Sequence, residues 1–223
     1  MIPVKIDENG RQIPVVTLLL IVGCTVVFVR QHPSVESFGL KPLYFVHGLL
    51  HPREEITNSL RILIVSFFLH GGLIHLAGNM WYLWLFGNAL EKTIGSLRFI
   101  IAYIVFGIVS MLTQIANDPL SVIPIVGASG AIAGVMGMYL VLRPLSKIVF
   151  LIPPFFSFRL YSSLFLIFWF YLQWKNIDVS NKTGNMIAWW AHIGGFLCGM
   201  LYGFRVRVSK RNQKGKRGKE ETK

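Results

Sequence analysis

The sequence predicts an all-α, polytopic membrane protein: a bundle of six transmembrane helices with a long, membrane-associated first loop. Three observations predict it. Of the 223 residues, 53% are hydrophobic and only 14% charged, with a mean hydropathy of +0.56, too apolar for an ordinary soluble domain. Apolar runs of roughly 16 to 20 residues recur, the length a helix rising about 1.5 Å per residue needs to cross about 30 Å of hydrocarbon. Lys and Arg are also distributed unequally about those runs. A cytosolic enzyme, a nucleic-acid-binding domain and a secreted disulfide scaffold are excluded by the same pattern.

In chain order, residues 1–12 form a charged N-terminal segment, and the run 13–29 that follows carries no small-residue cleavage pattern after it. It is expected to be a span and not a signal peptide. Residues 30–73 make a loop that is itself half apolar, with Phe38, Leu40, Phe45 and Ile62 to Val65. Such a loop beside a bilayer is expected to lie partly in it. Spans follow at 74–90, 99–116 and 129–142. The last is short, and Pro124, Gly127 and Gly130 precede or open it, so its helix is expected to begin inside the membrane. Spans at 160–174 and 187–204, joined by a polar loop 175–185, complete a membrane domain of 13–204. The tail 205–223 is basic.

Six spans place both termini on one side, which then holds sixteen of the 22 Lys and Arg. That excess predicts cytoplasmic termini in a multi-pass protein, with a bacterial inner membrane as the expected location. The tail holds nine Lys and Arg against Glu220 and Glu221, so +7 of the net +12 lies outside the apolar body. Its expected partner is anionic lipid, not nucleic acid. Cys24 and Cys198 lie inside apolar runs, where a thiol behaves as a small hydrophobe and implies neither a disulfide nor a metal site.

Strongly polar side chains within spans are costly and mark function by default. The candidates are His75 and Asn79, Ser129, and His192. Asn79 precedes Lys92 by 13 residues, Ser129 precedes Arg143 by 14, and His192 precedes Arg205 by 13. Each interval is about 20 Å of helix, which sets all three spans' polar groups at one level, roughly 10 Å below the outer surface. Ser129 follows Gly127 and precedes Gly130 at a helix start, where glycine permits close backbone approach and free N–H groups favour an oxyanion. His192 suits a general base, and His75 and Asn79, one turn apart, suit hydrogen-bond donors to that oxyanion. No Asp lies within a span, so a Ser–His dyad is the economical reading. Plainer alternatives exist for each: Gly130 and Gly134 as a small-residue packing face, the histidines as inter-helix hydrogen bonds or a proton relay. No metal or other cofactor is expected, since His70, His75 and His192 share no acidic residue and no H-E-x-x-H is present.

The stretch Leu69-His70-Gly71-Gly72-Leu73-Ile74-His75-Leu76-Ala77-Gly78-Asn79, then Gly127-Ala128-Ser129-Gly130, then Ala191-His192-Ile193-Gly194-Gly195 resembles the rhomboid intramembrane serine proteases, in family order and spacing. The resemblance runs from about residue 59 to 204 and implies the six-helix form. It implies Ser129 as nucleophile, His192 as base, and His75, Asn79 and the Ser129 N–H as oxyanion hole. Glu91 is similar to the family's structural acid, Gly195 and Gly199 to its helix-packing glycines, and His70 to a structural member of the first motif. The implied activity is cleavage of transmembrane segments of other membrane proteins. The alternative is a non-catalytic rhomboid-like protein that binds transmembrane helices. Where some members stack a Tyr on the histidine, this chain has Ala133, so the sequence names no orienting group for His192. Access is expected through the aromatic span 160–174 as a lateral gate, with Phe168 and Trp174 on it and Met186 in a cap. Such aromatic residues equally serve as lipid contacts.

Overall fold

The computed structural model describes residues 2–6, 12–30, 34–152, 156–183 and 187–220. Its centre is one helix, Ser129–Leu142 (α8 in chain order), in which eleven of fourteen residues are buried. A helix apolar on all faces has no side for water and becomes the axis around which others pack. Around it stand α1 (Val15–Arg30), α5 (Leu73–Tyr82), α6 (Asn88–Ile94), α7 (Ser96–Asn117), α9 (Ser162–Thr183) and α10 (Trp189–Glu220). The long first loop is not irregular: it contains α2 (Ser34–Phe38), α3 (Pro42–Leu50) and α4 (Pro52–Ser66). Pro opens both α3 and α4, where its missing N–H costs nothing and its fixed φ suits a helix start.

Small residues set the tightest contact. Methyl groups at Gly195 and Gly199 of α10 would run into the carbonyls of Gly130 and Gly134 of α8, and one at Gly137 would strike the Phe196 carbonyl. Glycine facing backbone on both helices allows a closer approach than any side chain permits, the usual means of packing helices in lipid. α1 attaches more loosely, burying Thr17, Leu20 and Cys24 along one stripe. Leu19, Val22, Ile74, Ile101, Ile167 and Leu201 are exposed on the outer faces of the surrounding helices, an apolar surface that suits hydrocarbon and not water. By length and composition alone, α7 is the one described helix long and apolar enough to cross a membrane; α1 and α8 are shorter apolar helices.

Four expectations need correction. The fold is not purely helical: β1 (Ile2–Ile6), β2 (Lys147–Ile152) and β3 (Phe156–Tyr161) form an antiparallel sheet in the order β1-β2-β3. β3 takes up the residues expected to open the fifth span, so α9 starts at Ser162, whose hydroxyl donates to the Arg143 carbonyl at 2.7 Å. The loop expected at 175–185 is helical through Thr183, and α10 continues unbroken past 204, because Lys, Arg and Gln are good helix formers and no Pro interrupts them. The second expected span is a helix with a π-helical turn at Leu83–Gly87, which rotates the faces on either side of it.

Glu91 ties three elements together. Its carboxylate accepts from the Val16 and Thr17 N–H groups (2.9 and 2.8 Å), the Thr17 hydroxyl (2.8 Å) and the Ser96 hydroxyl (2.6 Å). The side chain thereby caps the start of α1 and joins it to α6 and α7. Glu91→Gln presents an NH2 group to donors that need acceptors, leaving at least one unsatisfied in a buried site. The expected loss is about 2–4 kcal/mol, readable as a lowered melting temperature in detergent or nanodiscs.

Candidate active site

The loop ahead of α8 is pinned before the helix begins. Leu40 and Ile125 exchange both backbone hydrogen bonds (3.0 and 2.7 Å), and the Gly127 N–H donates to the Ser66 carbonyl at 2.9 Å. Gly127 sits at φ +111°, a conformation that favours glycine. Ser129 then opens α8, where the first N–H groups have no intrahelical acceptor. His192 lies in the first turn of α10, steadied by the Ala191 N–H donating to Gln114 Oε1 at 3.3 Å. The two helices bring Ser129 Oγ to 2.9 Å from His192 Nε2.

The histidine's other nitrogen, Nδ1, lies 2.9 Å from Gln173 Oε1 of α9. Its ring is flanked by Trp169, at 6.0 Å and tilted, and by Trp189, at 5.8 Å and edge-on. Opposite the dyad, the Gly71 N–H donates to His75 Nδ1 at 3.4 Å. With Nδ1 accepting, the His75 proton resides on Nε2, which becomes a donor. A methyl at Gly127 would come within 2.9 Å of His75 Nε2 and 3.4 Å of Asn79 Nδ2, so both donors border the backbone just ahead of Ser129. Asn79 is 8% exposed, and its Nδ2 has no hydrogen-bond partner among the described residues.

The sequence model of the rhomboid domain matches residues 57–209, a span that contains Ser129, His192, His75, Asn79 and Gln173. The chain belongs to the rhomboid family. Among known proteins it is similar to the mitochondrial Rhomboid protein 1 of Saccharomyces cerevisiae, 29% identical over 193 residues, 82% of this chain and 54% of that one. The mitochondrial presenilin-associated rhomboid-like protein of Mus musculus is 29% identical over 196 residues, 84% of this chain and 47% of that one. Rhomboid protease GluP of Bacillus subtilis is 33% identical over 141 residues, 63% of this chain and 26% of that one. This rhomboid thus spans about half the length of the first two. Family membership makes it a multi-pass membrane protein. Mitochondrial relatives stand beside the bacterial one, so the expected bacterial inner membrane draws no support from them.

The remaining predicted residues of this rhomboid fall into three groups. Gly130 abuts Ser110 and the Ala191 carbonyl, so that only glycine fits there, as at Gly195 and Gly199. His70 is fully buried ahead of α5, its Nδ1 3.1 Å from the Phe68 carbonyl and its ring edge-on to His75 at 5.2 Å. Glu91 lies away from the dyad at the α6–α7 junction. Phe168 and Trp174 on α9 are 58% and 55% exposed, and Trp174 meets Trp190 edge-on at 6.4 Å. Met186 lies outside the described residues. Sequence reasoning missed Gln173 and Gln114, although both lie inside predicted spans, where the cost of an amide was itself the signal.

Proposed function

We propose that this rhomboid is an intramembrane serine endopeptidase that cleaves transmembrane segments of other membrane proteins. The observation that carries this reading is the 2.9 Å Ser129–His192 contact, with Asn79 Nδ2, which has no partner among the described residues, bordering the backbone just ahead of Ser129. In this mechanism Ser129 Oγ attacks the scissile carbonyl carbon while His192 Nε2 takes the hydroxyl proton. The carbonyl oxygen becomes an oxyanion held by His75 Nε2–H, Asn79 Nδ2–H and the Ser129 N–H, donors that gain most when the charge develops. His192 returns its proton to the leaving amine, and water then hydrolyses the acyl-serine by the same path in reverse. An unpaired buried donor is normally expensive; one that waits for an oxyanion recovers that cost in the transition state.

In the bilayer, α1, the α5–α6 helix, α7, α8, α9 and α10 supply six spans, with both termini on the more basic side. Substrate enters past α9, whose Phe168 and Trp174 face outward as gate residues. The test is incubation of the purified protein in nanodiscs with a single-span substrate and, separately, with a fluorophosphonate. Cleavage, with label on Ser129 alone, is the expected result. Neither cleavage nor labelling across a panel of substrates overturns the reading in favour of a non-catalytic helix-binding protein. Asn79→Ala should lower kcat roughly 10- to 1000-fold with little change in apparent KM. A rise in KM alone would make Asn79 a binding residue.

A further inference from the structure

We propose that Gln173 is the positioning residue of this site, fixing the tautomer and ring orientation of His192 from α9. The inference rests on the serine-protease reading above. Gln173 is only 6% exposed on a helix rich in aromatic residues, a costly place for an amide unless both of its ends are satisfied. Both are: Nε2 donates to the Trp169 carbonyl at 3.1 Å, and Oε1 meets His192 Nδ1 at 2.9 Å. The first bond fixes the second. Were the amide flipped, its oxygen would face the Trp169 carbonyl oxygen, two acceptors with no proton between them. Oε1 therefore faces the imidazole, and only a protonated Nδ1 can bond to it.

The consequence reaches the nucleophile. With its proton on Nδ1, the neutral imidazole presents the Nε2 lone pair to Ser129 Oγ, 2.9 Å away. The four groups form a chain of one polarity: Ser129 hydroxyl to His192, His192 to Gln173, Gln173 to the Trp169 carbonyl. The opposite tautomer would point an N–H at the hydroxyl and disarm it. A carboxylate performs this orienting task in the Ser-His-Asp triad, and an amide in Cys-His-Asn sites. An uncharged amide suits an apolar bundle, where a buried carboxylate would need its charge compensated. Trp169 and Trp189 restrain the ring's plane, but neither ring supplies an acceptor to select the tautomer.

Two readouts test the proposal on the full-length protein in nanodiscs: cleavage kinetics, and the tautomer of His192 by nitrogen-15 NMR of histidine-labelled protein, assigned by difference from His192→Asn. In the wild type the Nδ1–H form should dominate. Gln173→Met, close in shape but without an acceptor, should lower kcat about 100-fold or more at nearly constant apparent KM, with the tautomers mixed. Gln173→Glu in its protonated form donates O–H to the Trp169 carbonyl and keeps an acceptor for Nδ1 at the same reach, and should recover at least about tenfold of that loss. An Nε2–H tautomer in the wild type overturns the proposal whether or not any variant folds. So does a Gln173→Met protein within threefold of wild-type kcat, or a Gln173→Glu protein as impaired as Gln173→Met. If the wild type cleaves nothing, the protease reading fails on its own, and the tautomer comparison still decides the role of Gln173.

Discussion

Ser129→Ala and His192→Ala are each expected to reduce cleavage to background, a loss of about 10⁴-fold or more in kcat, while the protein stays folded. Each removes one side of the 2.9 Å contact between Oγ and Nε2, and neither group belongs to the fully buried core: both are half-buried. The structural cost should be that of one lost hydrogen bond, about 1 kcal/mol, for Ser129→Ala, and about 2–3 kcal/mol for His192→Ala, which also takes the partner from Gln173 Oε1. Removing both should cost little more activity than removing either, because a nucleophile without its base and a base without its nucleophile are equally idle. Single-turnover cleavage of a single-span substrate, with melting temperatures in parallel, measures both halves. A Ser129→Ala protein that retains a tenth of wild-type activity would remove the serine from the mechanism.

The second large effect is expected away from the chemistry. A methyl at Gly199 would overlap the Gly134 carbonyl, and backbone cannot rotate aside as a side chain can. α8 and α10 must separate, or the bundle must fail. Overpacking of this kind costs about 1–3 kcal/mol where neighbours can adjust, and more here. These two helices also carry Ser129 and His192, and a 1 Å displacement at a reacting pair costs about 100-fold in rate. Gly199→Ala should therefore lower the melting temperature and reduce kcat by about 100-fold even in the folded fraction. Gly23→Ala on α1 is the control: its nearest neighbour would be Phe68 at 3.6 Å, an ordinary contact, so stability and activity should hold.

Much of the site was legible because lipid makes polarity conspicuous. His75, Asn79, Ser129 and His192 stood out as polar groups misplaced in apolar spans, the last three at a shared distance from basic anchors, and the structure brings them to one place. The fourth span was expected at 129–142, where α8 lies, whereas α7 begins at Ser96, three residues ahead of the expected 99. Gln173 escaped because it closes a predicted span one residue before Trp174 and two before Lys175, so its polarity merged with the interface. Its role depends on α9 lying beside α10, which no local pattern encodes. The sheet escaped for a similar reason. Phe156 to Tyr161 alternates weakly and Ile2 to Ile6 is short, whereas their pairing through β2 joins distant parts of the chain.

That pairing has a temporal side. Ile2 lies opposite Leu151, so the first strand has no partner until about 150 further residues have left the ribosome, roughly 7–30 s at ordinary rates of synthesis. By then α1, α5, α7 and α8 are all available to assemble. The docking of the amino-terminal strand, together with the 2.6 Å bond from the Trp81 indole to the Pro3 carbonyl, thus becomes possible only midway through synthesis, when those four helices exist and α9 and α10 have yet to be made.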